Sequence, residues 1–503
     1  MHLHKPAAAA ATAIPSRNTA VAWVAAAIVI ASLIAHTYRI ADLPSGFYVD
    51  ESSIAYNAHL IAESGHDEHG VAFPLFFEAF GEYKNPVYIY LLALAYKCFG
   101  YSEWTTRLLS AACWAAGSGL TYLLGRRLFT DGVSRLYLLI CLGFTPWLFS
   151  LSRISFEVIV LFPVLALFLL ATTRAYQDHS PGWALVAGTA IGVSIYAYST
   201  FRLLAPLHLL AVVLSFPQRR FWRLHCFLAV GAVLVILPYI AYTVDHLANL
   251  TQRFSGITYL NRNDLTAGDK IATFVKQYAG YFDPSFLAMD GDHNRRHHTG
   301  FGGELLLPSA VMLVLGVVTL VVRGQVISSP FVRLLLFGLL LAPMAAALTS
   351  DTQHSLRAFS MVIFAVLLSV YGVRYLARWR LDRVIVLLTA ANAGLYVVHY
   401  FSAYPPVSAV AFENYGFREA LLRARSMARG KIIISNEGNQ PYINMLFFDS
   451  VLPDPQRKVP VVLGNRDDLR DGDVLVYPAR PGDTTDREGL DERSLYAVRP
   501  YEP

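Results

Sequence analysis

Two adjacent acidic residues and a lysine lie in a polar stretch that follows the first long apolar segment. Asp50 and Glu51 begin this stretch, and Lys84, Asn85 and Pro86 close it. A carboxylate beside a reacting hydroxyl or amine can take its proton while that atom attacks a sugar carbon. A lysine ammonium at the start of a helix is suited to a phosphate. We therefore predict a reaction centre at a membrane surface that contains these charges, with Asp50 as base.

Each of these residues also has a simpler explanation. Asp50 could cap a helix that contains Ile54, and Glu51 would be favourable in the first turn of that helix. Lys84 could neutralise lipid headgroups. Against this explanation, Glu82 lies two residues away and could tether Lys84, so we predict Glu82 among the substrate-binding residues. Capping and catalysis can coexist in one carboxylate, so both roles of Asp50 stay open.

Other charged residues stand where apolar segments begin. Arg107 lies at the entrance to the second long apolar segment, and Arg357 enters a later one, three residues after His354. An arginine in a membrane segment is costly unless it faces a cavity or a partner, so both are predicted to bind substrate. Arg153 and Glu157 are four residues apart, a spacing that favours an ion pair at a helix end. A direct role in the site is the weaker alternative for them, because charged groups in membrane segments are often functional.

Residues 291–298 concentrate hydrogen-bond donors in one polar loop. Asp292, Arg295 and His297 belong to it, and a phosphodiester leaving group needs such donors for its developing charge. A metal site is the alternative, since Asp290 with Asp292, or the histidines, could bind a divalent ion. Their spacing matches no fixed metal motif, so we expect no cofactor and keep a divalent metal as the weaker hypothesis.

The composition places the chain among polytopic membrane proteins. Of its 503 residues, 55% are hydrophobic and 15% are charged, and the mean hydropathy is +0.42. The net charge of +5 comes mostly from basic residues at the ends of apolar segments. This distribution is explained by membrane topology, and we expect no nucleic-acid partner.

Apolar stretches near the length that crosses a bilayer number about eleven. We therefore predict an α-helical polytopic membrane protein with about 11 transmembrane helices. The predicted centres are Ile28, Gly117, Ile140, Leu165, Val193, Leu209, Val233, Leu315, Leu340, Ala365 and Ala391.

Basic residues mark every second connection between these segments, which the positive-inside rule assigns to the cytoplasm. The basic connections contain Arg126, Arg127, Arg135, Arg174, Arg219, Arg220, Arg223, Arg323, Arg374, Arg378, Arg380 and Arg383. The remaining connections, among them the outer loops 37–86 and 244–303, then face outward. We predict a multi-pass protein of the cytoplasmic (inner) membrane with its amino terminus inside and its last hundred or so residues outside.

The chain divides into a membrane domain, residues 1–401, and a small extracytoplasmic α/β domain, residues 402–503. In the second part the pattern predicts a helix over residues 416–429 and strands over 432–434, 459–463 and 474–477. In the outer loops it predicts a helix over 50–64 and two helices at the membrane interface, over 88–98 and within 264–286.

Several of these segments resemble the amino-terminal half of GT-C membrane glycosyltransferases, in particular the protein O-mannosyltransferase and aminoarabinose transferase group. The resemblance rests on residues 47–51, 82–86, 99–102 and 107–109, and is strongest over residues 40–240. It implies Asp50 as base with Glu51 as its catalytic neighbour, and Lys84 as a contact for the phosphate of a lipid.

The implied reaction is an inverting sugar transfer from a polyprenyl-phosphate donor to a lipid, glycan or protein acceptor on the outer face of the membrane. Membrane lipid is the other expected partner. The main rival is a lipid-linked glycan polymerase, ligase or flippase in which Asp50 is only structural. A transporter is disfavoured because its site would lie near the bilayer midplane.

Overall fold

The computed structural model describes residues 17–451, 459–480, 486, 490, 491 and 493–501. The helices are, in chain order, α1 (Arg17–Thr37), α2 (Val49–Ser64), α3 (Pro86–Phe99), α4 (Glu103–Leu128), α5 (Gly132–Phe144), α6 (Pro146–Leu151), α7 (Leu161–Gln177), α8 (Pro181–Ala197), α9 (Phe201–Ser215), α10 (Trp222–Ile257), α11 (Ala267–Gly280), α12 (Leu307–Val322), α13 (Gln325–Ser328), α14 (Pro330–Leu341), α15 (Ser355–Ala358), α16 (Met361–Leu376), α17 (Asp382–Ser402), α18 (Tyr404–Ala411), α19 (Phe417–Met427) and α20 (Pro441–Val451). The strands are β1 (Phe77–Ala79), β2 (Glu82–Lys84), β3 (Ile432–Ser435), β4 (Val461–Gly464), β5 (Val474–Pro478) and β6 (Tyr496–Pro500).

Local sequence signals explain where several helices begin. The side chains of Ser102, Asp131 and Ser180 each accept a hydrogen bond from a backbone N–H in the first turn of α4, α5 and α8. Proline occupies the first position of α3 and α14, where its missing N–H is not needed. These caps set the helix starts, and the apolar side chains between them supply the spans.

The predicted membrane spans coincide with apolar helices. Among the described residues, seven helices are long and apolar enough to cross a membrane, and five further apolar helices have 10–17 residues. Seven of the predicted centres lie in the long helices and the other four lie in α5, α8, α9 and α12. The fifth short helix is α3, which was predicted to lie in the interface. The multi-pass helical class is confirmed.

Two helix pairs pack closely through glycines. A Cβ atom on Gly188 of α8 would lie 1.9 Å from the carbonyl oxygen of Leu228 on α10, and one on Gly231 would lie 2.3 Å from that of Leu185. Gly316 of α12 and Gly372 of α16 approach each other's helices in the same way. Small residues let backbones approach closely in membrane helix pairs, so these positions fix the bundle.

The basic connections lie together at one end of this bundle. Arg127 at the end of α4 pairs with Asp178 after α7 at 3.5 Å, and Arg374 at the end of α16 pairs with Asp131 before α5 at 3.7 Å. This is the end that the positive-inside rule predicts to be cytoplasmic. The amino-terminal residues before Arg17, whose side was predicted, lie outside the described part of the chain.

Helix α10 is longer than a membrane span. Its 36 residues cover about 54 Å at 1.5 Å per residue, more than the bilayer core, and the helix bends at His246 (φ −129°, ψ 25°). The predicted outer loop 244–303 therefore begins inside a helix, and α11 follows within it. The extension carries Arg253 to the end of the bundle opposite the basic connections.

The carboxyl-terminal part forms a four-stranded sheet of order β4-β3-β5-β6, in which β6 is antiparallel to β5. Helix α19 and three strands match the prediction, whereas α20 and β6 were not predicted. Helix α20 packs on α2, where the Ser52 hydroxyl donates to Asn444 at 2.6 Å and the rings of Phe47 and Phe447 stack at 4.9 Å. The boundary at residue 402 stays a prediction.

A buried ion pair holds the first outer segment in place. The Arg107 guanidinium donates to both carboxylate oxygens of Glu51, at 2.9 Å each, and both side chains are fully buried. Its remaining N–H groups donate to backbone carbonyls of the preceding segment, including those of Pro44 at 2.9 Å and Gly46 at 2.5 Å. Glu51 also accepts the backbone N–H of Ser155. The pair thus joins α2 and α4 to two other segments of the chain.

Arg107→Ala should leave the Glu51 carboxylate buried without its partner and destabilise the protein by about 3 to 5 kcal/mol. The measurement is the thermal unfolding midpoint in detergent micelles. Arg262→Ala is the matched control, because it breaks an ion pair with Asp264 whose side chains are 58% and 61% exposed. Equal midpoints for the two variants would show that the buried pair does not hold the fold.

Candidate active site

A cavity of about 440 Å³ opens at the end of the bundle opposite the basic connections. Four basic and two acidic side chains line it, together with tyrosine, asparagine and threonine groups. The charged lining residues are Asp50, Lys84, Glu157, Arg202, Arg253 and Arg357. Many of the other walls are apolar, with Phe156, Leu203 and Ile257 among them. The cavity combines an excess of positive charge with a surface that suits a hydrocarbon chain.

Asp50 and Lys84 form an ion pair on the cavity wall. The Lys84 ammonium donates to Oδ1 of Asp50 at 2.5 Å, and the Asp50 side chain is 32% exposed. Lys84 ends β2, and its pairing opposite Phe77 in the β1–β2 hairpin brings it to α2. Burial raises the pKa of Asp50, but the charge of Lys84 and its hydrogen bond outweigh burial, so this pKa lies below its usual value. The carboxylate is ionised.

Two further arginines reach the cavity from separate segments. Arg253, on the extension of α10, pairs with Glu82 at 2.6 Å, while Arg357 pairs with Asp351 at 2.6 Å and donates to Thr349 at 2.8 Å. Each acidic partner lies outside the cavity lining. These pairs orient the guanidinium groups and leave the positive charge in the cavity.

Of the predicted site residues, the structure places Asp50, Lys84 and Arg357 at the cavity. Glu51 and Arg107 do not line the cavity; their side chains are fully buried and form an ion pair with each other. Glu82 binds Arg253 and does not hold Lys84. The cap of α2 is Tyr48, whose backbone N–H donates to Glu51 at 3.1 Å, so Asp50 is free of the capping role considered for it.

The ion pair expected between Arg153 and Glu157 does not form. Arg153 donates to the backbone carbonyls of Ala35 at 2.6 Å and Tyr38 at 2.7 Å. Glu157 accepts both the backbone N–H and the side-chain amide of Asn85, at 2.8 and 2.6 Å. The prediction was wrong because residues 153–156 are not helical. A spacing of four residues brings side chains together only within a helix.

Sequence reasoning missed Arg202 and Arg253 as cavity residues. Arg202 donates to the Asn85 side chain at 3.3 Å and to the carbonyl of Leu250 at 2.8 Å. Both arginines lie near the outer ends of apolar segments, and this position could have predicted them as cavity residues. Arg253 was assigned to an outer loop, since the extension of α10 was not predicted.

Two of the remaining predicted residues, Asp292 and His297, belong to a second cluster outside the cavity lining. The Asp292 carboxylate lies 3.0 Å from Nδ1 of His297 and accepts the backbone N–H of Ser355 at 2.8 Å. Burial raises the pKa of Asp292, but the hydrogen bond from His297 and its charge lower it below its usual range. Arg295, in the same loop, has a buried Nη1 atom without a hydrogen-bond partner among the described residues.

Glu304 closes this cluster from the end of the same loop. It accepts the backbone N–H of Asp292 at 3.0 Å and the Ser355 hydroxyl at 2.5 Å. Burial, followed by the charge of Asp292, raises the pKa of Glu304 to about 8. The cluster thus contains two buried carboxyl groups, of which only Asp292 is held ionised by its neighbours.

Comparison with known proteins agrees with the geometry. Residues 83–242 match the family model described as dolichyl-phosphate-mannose-protein mannosyltransferase. This stretch contains Lys84, Glu157 and Arg202 of the cavity. Comparison of the sequence with curated proteins finds no match.

Solved structures match over most of the chain. The structure of ArnT from Cupriavidus metallidurans bound to undecaprenyl phosphate aligns with a TM-score of 0.60 at 14% identity, covering 95% of this chain and 98% of that one. The oligosaccharyltransferase of Archaeoglobus fulgidus aligns with a TM-score of 0.51 at 14% identity, covering 89% of this chain and 65% of that one. The chain thus shares its fold with these two structures, and residues 83–242 match the mannosyltransferase family model.

Proposed function

We propose that the protein transfers a sugar from a polyprenyl-phosphate donor to a lipid, glycan or protein acceptor at the outer face of the cytoplasmic membrane, with Asp50 as base. The observation that carries this proposal is the contact between Asp50 and Lys84 on the wall of a basic cavity. A proton acceptor and a phosphate ligand are thereby adjacent, as a sugar transfer from a lipid phosphate requires.

The basic residues of the cavity would bind the donor phosphate. Lys84, Arg253 and Arg357 come from three segments and can surround one anion with charge-assisted hydrogen bonds. The same groups would stabilise the charge that develops on the leaving phosphate. The polyprenyl tail would lie along the apolar walls formed by residues such as Leu203 and Ile257.

Donor binding and base activation are coupled in this arrangement. With no phosphate present, Lys84 keeps the pKa of Asp50 low, so the carboxylate is a weak base. A phosphate that takes up Lys84 weakens this contact and raises the basicity of Asp50. The acceptor nucleophile then attacks the anomeric carbon as the bond to the phosphate oxygen breaks, and its proton goes to Asp50. This single displacement inverts the configuration at the anomeric carbon.

Structural neighbours support a lipid-phosphate donor. The ArnT structure contains undecaprenyl phosphate, and a further structure of the archaeal oligosaccharyltransferase AglB, aligned with a TM-score of 0.50, contains a dolichol-phosphate and an inhibitory peptide. The outward position of the cavity is supported by the basic connections at the opposite end of the bundle.

A lipid-linked glycan polymerase, ligase or flippase is the second candidate, and it accounts equally for the apolar helices and the basic cavity. In that case Asp50 would serve only to neutralise Lys84. Substitution of the carboxylate by an amide separates the two functions, because an amide retains a hydrogen-bond acceptor for Lys84 but takes up no proton.

Asp50→Asn should lower sugar transfer by about 10²- to 10⁴-fold, since it removes a general base. Transfer is measured with purified protein in lipid, a panel of radiolabelled polyprenyl-phosphate sugars and a membrane extract as acceptor. Asp42→Asn, an exposed position in the same outer segment, is the matched control and should retain wild-type transfer. Wild-type turnover by Asp50→Asn would exclude Asp50 as the base.

Lys84→Ala should weaken donor binding by roughly tenfold to a hundredfold, the equivalent of one charge-assisted hydrogen bond worth about 1.5 to 3 kcal/mol. The quantity to measure is the KM for the polyprenyl-phosphate donor. Lys97→Ala removes an exposed lysine at the end of α3 and should leave this KM unchanged. An unaltered KM in Lys84→Ala would remove Lys84 from the donor site.

A further inference from the structure

Three side chains of types that can bind a metal ion lie close together near the cavity. Asp292, His297 and His354 each offer one ligand atom, and these atoms all lie within 4.8 Å of one another. The first two belong to the loop before α12, and His354 belongs to the segment before α15, more than fifty residues later. Folding alone brings these side chains together, since no short sequence motif contains them.

Two polar atoms of the cluster make no hydrogen bond with the described residues. Nδ1 of His354 is buried and has no hydrogen-bond partner among the described residues, and the same holds for Oε2 of Glu304. Buried polar atoms are nearly always satisfied by protein, water or an ion. The unpartnered nitrogen belongs to an imidazole whose ring centroid lies 4.7 Å from that of His297, and it needs an explanation. A bound cation supplies one.

The charge of the cluster also favours a bound cation. The described residues place no lysine or arginine side chain in a hydrogen bond with Asp292 or Glu304. The contacts of Asp292 are His297 and the backbone N–H groups of Asn294 and Ser355. A buried carboxylate of this kind is usually paired with a cation or bound to a metal.

We propose that Asp292, His297 and His354 bind one divalent transition-metal ion. Two imidazole nitrogens and one carboxylate oxygen form a donor set typical of zinc, with a water molecule in the fourth position. Magnesium and calcium bind oxygen ligands, so two imidazole nitrogens make a poor site for either ion. Glu304 accepts hydrogen bonds from Asp292 and Ser355 and so orients the ligand-bearing segments.

The ion would connect the loop before α12 with the segment before α15, and both segments contact residues that line the cavity. Leu356 and Arg357 line the cavity and are separated from His354 only by Ser355. The ring of His297 packs edge-on against Phe156, another lining residue, with ring centroids 6.1 Å apart. We therefore assign the metal a positioning role for Arg357. The site itself does not depend on the proposed sugar transfer.

The test is metal content of the full-length protein, purified in detergent without a polyhistidine tag. Protein treated with EDTA is loaded with excess Zn²⁺, desalted and analysed by mass spectrometry for zinc per chain. Wild type should retain about one equivalent, and the double variant His297→Ala, His354→Ala should retain almost none. His293→Ala is the matched control, because His293 is an exposed histidine of the same loop, and it should bind zinc as wild type does.

Two further readouts keep the result independent of folding defects in the double variant. Co²⁺ in place of Zn²⁺ should give the visible absorption bands of a tetrahedral site in wild type and His293→Ala. Added Zn²⁺ should raise the unfolding midpoint of those two proteins and leave that of the double variant unchanged. Wild type that retains no zinc, or no more than the double variant, would overturn the proposal and leave Asp292 and His297 as a hydrogen-bonded pair.

Discussion

The geometry of the site depends on the buried ion pair between Glu51 and Arg107. A charge withdrawn from water needs a partner and hydrogen bonds to all its polar atoms, and this pair has both. Because Glu51 is held against α4, the rotation of α2 about its axis is fixed. Consecutive residues of a helix do not face the same way, so Asp50 is turned toward the cavity when Glu51 points inward. The two acidic residues adjacent in sequence therefore have different tasks.

Three of the basic residues of the cavity have acidic partners without a ligand. Lys84 has Asp50, Arg253 has Glu82 and Arg357 has Asp351 as partner. A phosphate that entered would exchange these contacts for its own and would meet basic groups that are already oriented, which would limit the ordering cost of binding. Of the three acidic partners, Asp50 is the one that lies in the lining, so its contact with Lys84 is where phosphate binding would change the protonation chemistry.

Much of the fold followed from local patterns. Apolar length predicted the membrane helices, alternation predicted three strands of the terminal sheet, and Ile54, Ala58 and Ile61 mark the buried face of α2 as expected. Errors arose where a helix continued past its apolar part, as in α10. The amphipathic helix α20 and the edge strand β6 carry short, weak patterns, and their packing against α2 and β5 decides their structure.

The sequence by itself determined the class of protein, the level at which the charges lie and three cavity residues, Asp50, Lys84 and Arg357. It did so because hydrophobic length and the cost of burying charge act locally along the chain. Only the tertiary structure decided which charge pairs with which: Asp50 with Lys84 across 34 residues and Glu51 with Arg107 across 56. Arg107 and Arg357 both begin an apolar segment in the sequence. In the structure Arg107 forms a buried ion pair with Glu51, whereas Arg357 lines the cavity. The partner of a charge depends on distances between segments far apart in the chain, and packing alone sets those distances.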